Sequence, residues 1–137
     1  MPKSSVVLKD GMHFIGELGG FEVPIDADEQ FGGQNKGMRP KGLTLTSLAG
    51  CTALDVISIL RKMRLEPESF SVEAESEVTD SHPRVFTKIF LTYRLKGANL
   101  SYEKVEKAVK LSQETYCGVT AMLQKAVPIE YEIIIEK

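Results

Sequence analysis

The sequence predicts an α+β fold in the order βββ, one long α, ββ, αα, β, with strands and helices grouped rather than alternating. Three observations carry that prediction. Arg39 to Met63 is the longest apolar, helix-like stretch. Phe70 to Val78 and Val85 to Lys96 both alternate apolar and polar residues, the pattern of half-buried strands. Before the long helix, three short apolar runs are separated by Asp10-Gly11 and Gly19-Gly20, both strong hairpin signals.

Taken in order, Val6–Leu8, Met12–Leu18 and Phe21–Ile25 read as an antiparallel meander. From Asp26 to Gly42 the periodicity stops, and four glycines and several acids make a long irregular loop. It has no Gly-Lys-Ser/Thr ending, so it is not a phosphate loop. Pro40 suits a helix start. The helix beginning there is apolar in nearly every direction, which predicts burial on most sides.

One stripe of that helix is polar: Thr44, Ser47, Cys51, Asp55, Ser58 and Lys62 share a face. It reads either as a cavity wall, or as hydroxyls bonded back to helix carbonyls with Asp55 and Lys62 reaching solvent. Arg61, Lys62 and Arg64 suit the C-terminal dipole, and Pro67 closes the segment. The next strand is acidic on its polar face and the one after it basic, so the two suit an antiparallel pair. Val85, Ile89, Leu91, Tyr93 and Leu95 are its core candidates. Ser101 is the expected N-cap of a helix carrying Val105, Ala108, Val109, Ser112 and Tyr116. Cys117-Gly118 interrupts, Val119–Ala126 form a short helix, and a last strand starts at Ile129.

With 137 residues the chain reads as a single domain, 1–137, with a real core. A net charge of −2 with interspersed signs gives no basic stripe for nucleic acid. The apolar helix is broken by Thr, Asp and Ser and reads as too short for a bilayer span. The N-terminus lacks a signal-peptide core, so the expected location is the cytoplasm. There, two cysteines are reduced, redox-active or metal-binding rather than a permanent staple.

Cys51 lies mid-helix in apolar surroundings with Asp55 one turn on, so a reactive thiolate there needs a cation from elsewhere. Arg39 is the nearest by sequence. Cys117 precedes a short helix whose positive end favours a thiolate, and local physics ranks it first. A zinc site from the two Cys and two His lacks any short ligand spacing, and neither His13 nor His82 sits in a motif. No metal or cofactor is expected.

Pro40 followed by Cys51 in Leu48-Ala49-Gly50-Cys51-Thr52-Ala53-Leu54-Asp55-Val56, with Cys117 in Tyr116-Cys117-Gly118-Val119-Thr120-Ala121, resembles the OsmC/Ohr superfamily. The names stand for osmotically inducible protein C and organic hydroperoxide resistance protein. The resemblance covers nearly the whole chain. It implies an OsmC-like fold and an intertwined homodimer with long buried central helices and active sites at the interface. It also implies that Cys51 attacks an organic hydroperoxide, Cys117 resolves the product as a disulfide, and a dithiol reductant such as a lipoylated protein restores both. Other members carry a glutamate two residues after the proline, where this chain has Gly42. They also carry an arginine in the loop where this chain reads Asp26-Ala27-Asp28-Glu29, leaving Arg39 as the substitute. The alternatives are a non-enzymatic OsmC-fold protein holding an apolar small molecule at the dimer cleft, and a redox-sensing dimer. Neither nucleic acid nor membrane is an implied partner.

Overall fold

A computed structural model describes residues 1–137. The chain forms two compact units, Met1–Thr44 and Leu45–Lys137. The first holds β1 (Ser4–Asp10), β2 (His13–Leu18) and β3 (Phe21–Ile25), paired antiparallel in that order. The first hairpin loop is Gly11-Met12 rather than the expected Asp10-Gly11, because a register shift after Leu8 brings Asp10 opposite His13. The second is Gly19-Gly20, as the sequence predicts, with Leu18 opposite Phe21.

The glycine-rich loop after β3 is folded onto its own unit. The Asp26 carboxylate is 2% exposed and accepts from the backbone N–H groups of Ala27 (2.8 Å), Gln34 (3.0 Å) and Lys36 (3.0 Å). The N–H of Met38 donates to the Pro24 carbonyl at 2.9 Å, closing the loop against β3. A Cβ on Gly37 would sit 2.5 Å from Pro24 and Ile25 backbone atoms, and one on Gly33 would sit 1.7 Å from the Ala27 carbonyl oxygen. These glycines let backbone pack on backbone.

Helix α1 (Pro40–Lys62) begins in the first unit and runs through the second. Within the chain one stripe of it is buried: Leu48, Thr52, Val56 and Leu60, each four residues from the next. Leu54 is 72% exposed, so its own chain covers only part of the apolar circumference. The sequence-based ground for excluding a bilayer span does not hold, since the helix has 23 residues and a window of mean hydropathy 1.7. Its buried stripe and its hydrogen-bonded Thr52 and Asp55 are instead those of a core helix. It ends with Arg64 at φ 63° while the Leu65 N–H returns to the Leu60 carbonyl at 2.8 Å.

The second unit adds β4 (Ser69–Val78), β5 (Phe86–Lys96), α2 (Tyr102–Leu111), α3 (Gly118–Leu123) and β6 (Ile129–Glu136). Strand β5 is central, antiparallel to β4 and parallel to β6. A parallel neighbour requires a crossover, which α2 and α3 supply. Glu73 of β4 pairs with Arg94 of β5, as the opposed strand charges suggest, and Lys88 of β5 pairs with Glu130 of β6. Ile89, Leu91, Tyr93 and Leu95 alternate into a core shared with Leu48, Val56 and Leu60 of α1 and Val105, Ala108 and Val109 of α2. Val85, a sequence-predicted core residue, is 49% exposed because β5 starts only at Phe86. The Ser101 hydroxyl caps α2 by accepting from the Lys104 N–H at 3.2 Å. After Leu111 the helix widens into one π turn, Ser112–Tyr116. The wider turn changes the angular spacing of its side chains, so Ser112 stays buried while Tyr116, expected on the same face, is 61% exposed.

Hydrogen bonds to Asp26, chiefly from Lys36 and Gln34, hold its carboxyl below the ordinary value of 3.8. A depressed folded-state pKa gives stability that is present above the unfolded value and lost as pH falls through the folded one. We therefore expect the Asp26 carboxyl carbon to titrate below 3.8 by NMR. The Gln34 and Lys36 amides should stay protected from exchange at about pH 4 and lose that protection in Asp26→Asn at every pH.

Candidate functional site

Cys51 and Asp55 are one turn apart on α1 and therefore on one face. Cys117 sits at the junction between the π turn and α3. The two sulfurs and an Asp55 carboxylate oxygen all lie within 4.8 Å of one another. Both cysteines are free thiols; Cys51 is half-buried and Cys117 is buried. A disulfide needs about 2.05 Å between sulfurs, so the two must come closer before they can join.

Cys117 is the N-cap of α3, and its sulfur accepts from the Thr120 N–H at 3.4 Å. The lowering expected from the helix end is nevertheless outweighed. Burial raises the Cys117 pKa above the ordinary 9.0, and Cys51 beside it pushes the same way, against the cap from Thr120. The helix end is there; desolvation outweighs it.

Beneath the thiols runs a chain of hydrogen bonds that joins α1, β5, the π turn and α3. The Thr52 hydroxyl lies 2.7 Å from the Tyr93 phenol and 2.7 Å from the Ser112 hydroxyl. Ser112 donates to Asp55 Oδ2 at 2.9 Å. The Gln113 amide nitrogen donates to Thr52 (3.1 Å) and Tyr93 (2.9 Å), and its oxygen accepts from the Thr120 hydroxyl at 3.3 Å. Each hydroxyl has one hydrogen, and counting them fixes the direction. Ser112 spends its hydrogen on Asp55, so it accepts from Thr52. Thr52 then accepts from Tyr93, and Tyr93 accepts from Gln113. From Gln113 through Tyr93, Thr52 and Ser112, each donor thus points toward the Asp55 carboxylate.

Burial pushes the Tyr93 phenol up to about 12, so it stays a neutral donor. Ser112 and Gln113 both come from the π turn, which is where the helix gives up its regular bonding to turn side chains inward. Asp55 does not stand free in solvent, as one reading of the polar stripe has it. It is half-buried, bonded to Ser112, and borders a hollow of about 370 Å³ lined also by Ser58, Ile59, Lys62, Leu111 and Tyr116. The C-terminal part of the stripe is a cavity wall.

Of the residues singled out in the sequence, Cys51 and Cys117 are brought together, and Asp55 joins them. Arg39 belongs to the first unit, where its guanidinium donates to Asp28 Oδ1 (2.9 Å), Asn35 Oδ1 (3.2 Å) and the Gly37 carbonyl (2.9 Å). Thr52 and Thr120 lie within the two cysteine segments but had no role assigned from the sequence, nor had Tyr93, Ser112 and Gln113; their convergence depends on the fold. The one sequence signal was the placement of Thr52 and Ser112 on otherwise apolar helix faces.

Thr52 is fully buried and serves three partners, so replacing its hydroxyl strands buried groups. Thr52→Val should lower unfolding free energy by about 1–3 kcal/mol. The same change at exposed Thr87 should stay within about 0.5 kcal/mol. Denaturant unfolding of the two variants checks this.

Comparison with known proteins agrees with the fold. The family model for OsmC-like protein matches residues 33–132. The chain is 37% identical over 128 residues to Protein YhfA of Escherichia coli strain K12, covering 91% of this chain and 92% of that one. A hypothetical protein from Aquifex aeolicus VF5 superposes with a TM-score of 0.83 at 27% identity, over 100% of this chain and 98% of that one. An organic hydroperoxide resistance protein OsmC from Legionella pneumophila shares the fold at a TM-score of 0.71 and 15% identity, over 98% of this chain and 96% of that one. With a matching family model over most of its length and a 37% identical relative, this chain belongs to the OsmC-like protein family.

Proposed function

We propose that this OsmC-like redox protein reduces organic hydroperoxides through Cys51 and Cys117. The observation that carries the reading is the approach of the two thiols to within 4.8 Å of each other and of Asp55. The structural likeness to a hydroperoxide resistance protein from Legionella pneumophila supports the same chemistry.

Half-buried Cys51 is the sulfur a peroxide can reach, and buried Cys117 is the one that waits. The Cys51 thiolate attacks the outer peroxide oxygen. The O–O bond breaks, the alkoxide leaves and takes a proton as the alcohol, and Cys51 becomes a sulfenic acid. Cys117 then attacks the Cys51 sulfur. The S–O bond breaks, the Cys117 proton and the hydroxyl leave as water, and a disulfide remains. Asp55 is the carboxylate within reach of both sulfurs to carry that proton. A dithiol, such as the lipoyl group of a lipoylated protein, reduces the disulfide by exchange. Arg39, the cation expected from the sequence, is bonded to Asp28, Asn35 and the Gly37 carbonyl within the first unit.

We place the protein in the cytoplasm as an intertwined homodimer. The uncovered apolar side of α1, with Leu54 72% exposed, supports a second copy against that helix. A second reading keeps the fold without turnover and has it hold an apolar small molecule at the dimer cleft. Gly42, where other members carry a glutamate, favours it.

Stopped-flow oxidation by cumene hydroperoxide, followed by turnover with a dithiol, separates the two. Turnover should exceed the free-thiol rate and fall to that background in Cys51→Ser. Cys117→Ser should still be oxidised once but stop there. Oxidation of the wild type no faster than a free thiol would remove the enzymatic reading. Because burial holds the Cys117 thiol protonated, disulfide closure should speed up with pH beyond the ordinary thiol value of 9.0. In Asp55→Asn, closure at neutral pH should fall by about 100-fold.

A further inference from the structure

We propose that Cys51, Cys117 and Asp55 also form a binding site for a thiophilic d10 cation of the zinc class. Three side chains that can each give one ligand atom lie within 4.8 Å of one another, two of them thiols and one a carboxylate. Tetrahedral zinc bound by two thiolates and a carboxylate requires roughly 3.6–3.8 Å between ligand atoms. The cluster is therefore within a small side-chain adjustment of that geometry. Two sulfurs and one oxygen select a soft or borderline ion and disfavour magnesium and calcium.

The placement of the ligands is also that of a metal site. Cys51 and Asp55 are one turn apart on a single helix, the spacing by which helices present two ligands to one ion. Cys117 adds a third from a different element. Each of two ligands has its own support. Ser112 donates to one oxygen of Asp55, which leaves the carboxylate lone pairs for an ion, and the Thr120 N–H donates to Cys117. Three protein ligands leave a fourth position for water or a small anion. No histidine is needed, which is why ligand spacing in the sequence concealed the site. Binding replaces two thiol protons with one cation, so the buried sulfur gains a counter-charge. An ion there occupies both thiols, and metal and hydroperoxide compete for them.

The test uses reduced full-length protein, without peroxide, titrated with Zn²⁺ by calorimetry and with Cd²⁺ by thiolate-to-metal ultraviolet absorbance. One ion per chain is expected, with two thiolates in the cadmium spectrum. Affinity should fall at least 100-fold in Cys51→Ser, in Cys117→Ser and in the disulfide form of the wild type, and at least 10-fold in Asp55→Asn. Since Cys51 is half-buried and serine nearly isosteric, circular dichroism should show that variant folded. Binding that survives in Cys51→Ser or in the oxidised wild type, or the absence of stoichiometric binding, overturns the proposal. Because the titration needs no turnover, a chain that binds zinc and does not reduce peroxide refutes only the enzymatic reading, and the converse result refutes only the metal site.

Discussion

The hydrogen bonds that converge on Thr52 are the constraint on which the rest of this site depends. Four elements of the second unit meet at that hydroxyl and its neighbours: α1, β5, the π turn and α3. Apolar packing among Leu48, Val56, Leu60, Leu91 and Val109 holds the same elements together, but it is tolerant of sliding. A chain of directional bonds with every hydrogen assigned is not. It fixes the rotation of α1 about its axis, and Cys51 is the residue next to Thr52. It fixes Ser112 and Gln113, and the turn they begin delivers Cys117. The thiols face each other because the polar groups beneath them admit one arrangement.

That arrangement also gives the two sulfurs unequal surroundings, Cys51 half-buried and Cys117 buried. Local reasoning favours Cys117 as the thiolate, because a helix begins there. Burial instead raises the Cys117 pKa and favours its neutral thiol. Asp55 lies at the end of the donor chain, where one oxygen is occupied by Ser112. It is the charged group of the second unit that both thiols share. Gly42 at the entrance of α1 carries no carboxylate, and Asp26-Ala27-Asp28-Glu29 carries no arginine. Asp55 on the helix itself is the local alternative.

Much of the architecture was legible in the sequence because the signals were periodic and local. Alternation marked β4 and β5, the Gly19-Gly20 turn marked β2 and β3, and Ser101 marked the start of α2. The hidden features depended on distance in sequence or on one-residue irregularities. No pattern in β6 shows that it runs parallel to β5. The π turn adds one residue to a helix whose spacing otherwise continued to Tyr116, and that residue decides which side chains reach the site. The approach of Cys117 to Cys51 was available only from the likeness to a known family. Asp55 was visible as part of a polar stripe, yet its partner Ser112 could not be named from spacing.

The central claim is that the fold makes Cys51 and Cys117 one functional pair within a chain. The direct measurement is non-reducing peptide mapping of reduced protein treated with one equivalent of cumene hydroperoxide. The account predicts two thiols lost per peroxide and a single linked species joining the Cys51 and Cys117 peptides of the same chain. One thiol lost per peroxide, with Cys51 recovered as an unlinked sulfenic or sulfinic acid, or a link only between chains, would contradict it.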